Sequence, residues 1–87
     1  MTSQIAISGL ECVQALCIAG FRVKQRLPGS SVLAREGTNG QTVVVVPDAL
    51  VLPGPVLDSI LSGADISADR FLWLLGEVTT DTELMTL

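Results

Sequence analysis

The sequence predicts an α+β fold of order α-β-β-β-α-α, a three-stranded antiparallel sheet with its helices packed on one face. Three observations predict it. Ser8 and Glu11 have the S-x-x-E spacing of a capping box ahead of apolar residues three and four apart. At Phe21 the rhythm changes to two and is broken twice by turn residues. After Pro53 the helical rhythm returns, interrupted once between Gly63 and Ser67.

The first helix starts at Leu10, carries Leu10, Val13, Leu16 and Cys17 as its apolar stripe, and ends at Gly20, which takes a positive φ at little cost. The first strand then alternates Phe21, Val23 and Gln25 with Arg22, Lys24 and Arg26. Leu27-Pro28-Gly29-Ser30 suits a type II turn, with proline and glycine at its centre. Residues 31–36 form the second strand, Gly37-Thr38-Asn39-Gly40 a hairpin loop, and 41–46 a β-branched third strand ended by Pro47.

With two four-residue loops, Lys24 pairs with Leu33, Arg22 with Arg35, and Leu33 with Val44. Phe21, Val23, Val32, Ala34, Val43 and Val45 then face the helices. Arg22, Lys24, Arg26, Leu33, Arg35, Val44 and Val46 share the opposite face, which is basic at one side and apolar at the other. Residues 48–53 connect to a second helix near Pro55, striped by Val56, Leu57, Ile60 and Leu61. Ser67 caps a short third helix with Phe71, Leu72, Leu74 and Leu75 before Gly76. The domain therefore spans 1–76. Residues 77–87 read as an acidic tail with Glu77, Asp81 and Glu83, whose apolar end, Leu84, Met85 and Leu87, can dock on a neighbouring surface.

Composition limits the functions. At 87 residues there is one core and no second domain, and 48% hydrophobic with 16% charged residues excludes wholesale disorder. A net charge of -4 argues against general attraction to nucleic acid or anionic membranes, so any such contact is local. No apolar run approaches the ~20 residues of a membrane-spanning helix, and no cation precedes an apolar stretch at the start, so a cytoplasmic protein is expected. Cys12 and Cys17, five apart on a helix, point about 140° apart and read as buried thiols, neither a disulfide nor a metal pair.

Several short strings in this order resemble one family. They are Gly20-Phe21, Gly29-Ser30, Val43-Val44-Val45-Val46-Pro47, Ser59-Ile60-Leu61 with Ala64, Ile66-Ser67 and Phe71, over about residues 8 to 75. The chain is similar to the HicA-type mRNA-interferase toxins, a branch of the double-stranded-RNA-binding fold. The resemblance implies an endoribonuclease of a type II toxin-antitoxin system, covered by an antitoxin of the HicB type. Family members carry a histidine after the Gly-Ser pair, to which RNA cleavage is assigned. Here that position is Ser31, and the chain has no histidine at all. A serine hydroxyl does not exchange protons near neutral pH as an imidazole does. Asp58 stands where the family tends to have basic residues, and Asp65 where it has glycine.

The expected function is therefore a degenerate, non-cleaving binding module, with a HicB-like protein or a second copy as partner. The alternative is a domain that still binds or weakly cuts RNA. The candidate RNA- or partner-binding residues are Arg22, Lys24, Arg26, Ser30, Ser31, Leu33, Arg35 and Val44, with no metal and no small-molecule cofactor. Each has a plainer reading. Alternating cations solvate a strand and discourage edge pairing. Serines suit a turn. Asp58, Asp65 and Asp69 suit capping and surface solvation as well as metal ligation. Trp73 suits a core as well as a partner anchor.

Overall fold

The structure, a computed structural model, describes residues 7–38 and 40–86, with side chains described up to Val78. Its elements are α1 (Gly9–Ile18), β1 (Arg22–Leu27), β2 (Ser30–Gly37), β3 (Gly40–Pro47), α2 (Gly54–Ala64) and α3 (Ala68–Thr86). The sheet is antiparallel in the order β1-β2-β3, so the α+β layout is as the sequence predicts.

The capping box forms. Ser8 Oγ accepts from the Glu11 amide at 3.0 Å, and Glu11 Oε1 accepts from the Ser8 amide at 3.0 Å. The chain entering α1 lies against the segment leaving β3, with the Gly9 amide donating to Ala49 O (2.8 Å) and the Leu52 amide to Ile7 O (2.7 Å). A Cβ on Gly9 would collide with the Pro47 carbonyl, so only glycine fits this approach. Both α1 and α2 end in a Schellman motif. Phe21 N donates to Leu16 O and Gly20 N to Cys17 O, as Ile66 N does to Leu61 O and Asp65 N to Ser62 O. Gly20 takes φ +105 and Asp65 φ +59, so at the second end a non-glycine residue bears the left-handed conformation.

The core gathers Cys12, Val13, Ala15 and Leu16 of α1, Leu33, Val44 and Val46 of the sheet, Ile60, Leu61 and Ala64 of α2, and Phe71 and Leu74 of α3. Leu10 and Cys17, assigned to the buried stripe, are exposed. Trp73 is 56% exposed, with the Arg70 guanidinium 5.3 Å from its ring, so it is a surface residue.

Two further expectations are corrected. α3 does not stop at Gly76 but runs to Thr86. Gly76 keeps a helical φ, with nothing within 4 Å of where a Cβ would stand. Glycine at an open helical site costs only about 1 kcal/mol, too little to end a helix that longer-range packing supports. The side chains of Asp81, Glu83, Leu84, Met85 and Leu87, like Asn39 of the hairpin loop and residues 1–6, lie outside the described residues.

The sheet faces are also the reverse of expectation. Leu33 and Val46 are wholly buried under the helices and Val44 is 6% exposed, whereas Val43 and Val45 are each 51% exposed on the open face. The cause is one residue. From the Pro28-Gly29 turn the ladder runs Leu27↔Ser30, Arg26↔Ser31, Gln25↔Val32 as expected, but a bulge at Lys24 then pairs Val23 with Leu33 and Arg22 with Ala34. Val23 does lie on the helix side, as its spacing from Phe21 predicts. Carried across the sheet without the bulge, that assignment inverts every face on β2 and β3. The β2–β3 register itself, including Leu33↔Val44, is as predicted.

Candidate partner-binding face and basic cleft

The bulge divides the basic triad. Arg22 pairs with Ala34 on the open face, Lys24 occupies the bulge, and Arg26 pairs with the buried Ser31 on the helix side. All three are exposed because β1 is an edge strand beyond the helices' cover. Arg22 and Lys24 line a cleft of about 390 Å³ with Gly20, Ala34, Arg35, Glu36 and Gln41. Three of the chain's five cations thus meet at one rim of the sheet, with Glu36 held by a 3.1 Å hydrogen bond from Gln41 Nε2.

Arg35 is not a free cation of an open face. It is half-buried, and its guanidinium donates to Ala64 O at 3.2 Å and Ala19 O at 3.4 Å while lying 4.7 Å over the Phe21 ring. Ala19 and Ala64 each precede the left-handed residue of a Schellman end, so one cation serves the negative ends of two helices. This role was invisible in sequence because it depends on which face of β2 the helices cover.

The other candidates separate. Ser31 is 2% exposed on the helix-covered face, and no buried side-chain polar atom among the described residues lacks a hydrogen-bond partner. Leu33 and Val44, expected to meet a partner, are core residues. Ser30 is half-buried beside the β1–β2 turn, opposite Leu27 and Pro47. In their place the open face presents Leu27, Val32, Val43 and Val45, with Arg22 at its β1 side. Those valines were legible as β-branched strand residues, but their outward direction was not.

Elsewhere, an apolar groove of about 260 Å³ between α2 and α3 is lined by Ile7, Leu57, Asp58, Leu61, Ala68, Phe71 and Leu72. Among the described residues no three His, Cys, Asp or Glu side chains are placed to hold a metal ion, and no helix is long and apolar enough to cross a membrane. Burial pushes the Cys12 thiol up to about 11. No protein-family model, curated protein or solved structure matches this chain.

Proposed function

We propose that this chain is a non-cleaving binding module that meets a protein partner through the open face of its sheet. The observation that carries the reading is the exposure of Val43 and Val45, 51% each, beside Leu27 and Val32 on a face that no helix covers. Aliphatic side chains grouped on one exposed face mark interaction sites more often than isolated ones do. The resemblance to HicA-type toxins supports a partner of the HicB type. Cleavage has no proton-exchanging imidazole to use, and a serine buried at the corresponding position cannot reach a phosphodiester without opening the core.

The second reading, RNA binding by shape, draws on the cleft where Arg22 and Lys24 converge. It is weaker because Arg26 points away and Arg35 is engaged with helix carbonyls. Incubating the protein with labelled double- and single-stranded RNA at low and high salt separates the two. The proposed function predicts neither cleavage nor salt-dependent binding. Binding that falls steeply with salt and is abolished by Arg22→Glu with Lys24→Glu overturns it.

A further inference from the structure

Charge is divided between the sheet and the rest of the chain. The three strands carry four of the five cations, Arg22, Lys24, Arg26 and Arg35, but only Glu36 of the nine acids. Outside the strands the remaining eight acids are met by Arg70 alone. A chain with a net charge of -4 therefore presents a locally positive sheet.

On the open face, charge and apolar surface adjoin. Arg22, Ala34 and Val43 form one row across the three strands, and Gln25, Val32 and Val45 form the next. Strands lie about 4.8 Å apart, so roughly 10 Å separates the β3 valines from the β1 cations. The buried Ala34 is the low floor between them, and the cleft holding Arg22 and Lys24 opens there. Among the described residues, no hydrogen bond or ion pair engages the side chain of Arg22 or Lys24. The cleft also has a backbone donor. Leu27 and Ser30 close a two-residue turn as a hydrogen-bonded pair, and such pairs recur at every second residue, so β2 turns the amides of Val32, Ala34 and Glu36 toward β1. β1 begins at Arg22, opposite Ala34, so the Glu36 amide meets no strand there. No turn, loop or cap hydrogen bond among the described residues reaches it. The Glu36 carboxylate is itself engaged, accepting from Gln41 Nε2 at 3.1 Å.

We infer that the open face takes a segment of a partner protein that combines carboxylates with aliphatic side chains. The aliphatic groups sit on Val32, Val43 and Val45, and the carboxylates turn into the cleft toward Arg22, Lys24 and the Glu36 amide. Charge complementarity selects this occupant. A basic segment would meet Arg22 and Lys24 as like charges, and two copies of this chain set face to face would oppose cation with cation. RNA would find two free cations on this face and no ring to stack on, since Phe21 and Phe71 are buried and Trp73 lies on α3. The aliphatic seat holds the segment and the cations choose it, because exposed charge pairs contribute little affinity and mainly govern encounter and discrimination.

The inference rests on the binding-module reading and names the chemistry of its partner. The probe is a short peptide, capped at both ends, in which serine alternates with leucine, leucine, glutamate and glutamate, so that an extended chain turns all four to one side. Titrated to ~5 mM into the isotope-labelled full chain, it should shift the amide resonances of Arg22, Lys24, Val32, Val43 and Val45, with a Kd on the order of 1 mM. Exchanging its glutamates for lysines, or its leucines for serines, should weaken binding roughly tenfold. Arg22→Glu with Lys24→Glu, both at exposed positions, should reverse the preference, so that the lysine peptide binds that variant better than the glutamate peptide does. Val43→Ser with Val45→Ser should bind neither. Thermal melts check that both variants fold. Raising salt to ~0.5 M should weaken the parent complex by no more than about threefold. No shift at ~5 mM, shifts confined to another face, or a variant that keeps the parent's preference overturns the inference. So does the same set of shifts on concentrating the protein alone, which assigns the face to a second copy. Equal binding of the two charged peptides at the valines defeats the charge selection and leaves the protein contact standing. RNA binding that salt releases and Arg22→Glu with Lys24→Glu abolishes defeats the binding-module reading itself.

Discussion

Arg35 joins the last carbonyls of α1 and α2, and its loss should be felt by both helices at once. Charge-assisted hydrogen bonds contribute about 1.5 to 3 kcal/mol and a cation at a helix end about 0.3 to 1 kcal/mol, with partial exposure reducing both. Arg35→Met should therefore cost about 2 kcal/mol in urea denaturation. Arg35→Lys should recover less than half of that, because an ammonium cannot reach two carbonyls in a fixed fork and lie over Phe21 as well. Unchanged stability in Arg35→Met contradicts the role assigned to it. The two cysteines make a second contrast at this scale. Cys17 is exposed and should react with a thiol reagent at pH 8 in the folded protein, while Cys12 should react only after unfolding. Burial holds the Cys12 pKa near 11 against an ordinary 9.0. The folded state thus resists deprotonation that the unfolded state accepts. Its contribution is intact below about pH 9 and is lost as pH rises toward about 11, which a pH series of thermal melts with Cys12→Ala as control will show.

At the scale of elements, much of the fold was legible because local chemistry decides it. The Ser8–Glu11 capping box, the Pro28-Gly29 turn with Gly29 at φ +84, and the Ser67 cap, whose Oγ accepts from Arg70 N at 3.1 Å, all form as their residues predict. What was not legible came from long-range geometry. The bulge at Lys24 has no local signature, yet it decides which valines are core and which are surface. β3 has valines at four consecutive positions, so its own pattern cannot choose a face and inherits the error. The candidate site suffered most, because Leu33, Val44, Ser31 and Arg35 all lie on the face that changed places. Two glycines show how far context overrides propensity. Gly9→Ala places a good helix former in α1 but drives a methyl into the Pro47 carbonyl, so it should destabilise by about 2 kcal/mol. Gly76→Ala in α3, where space is open and φ is helical, should stabilise by about 0.5 to 1 kcal/mol. Urea melts of the pair should move in opposite directions, and movement in the same direction contradicts one of the two environments.

For the whole molecule, the distribution of charge and apolar surface distinguishes the candidate functions. A chain with a net charge of -4 that gathers three of its five cations at one rim offers RNA few phosphate contacts, and any that form weaken as salt is added. Association with a protein through the aliphatic open face behaves oppositely, because burial of apolar side chains is not weakened by salt. The steepness of the salt dependence therefore separates a protein contact from a nucleic-acid contact without knowledge of sequence preference. The most direct measurement is sedimentation velocity of the protein together with labelled double-stranded RNA, at low and high salt. The account predicts RNA that sediments as free, uncut RNA under both conditions. RNA that is cut, or that moves with the protein at low salt and is released at high salt, contradicts it.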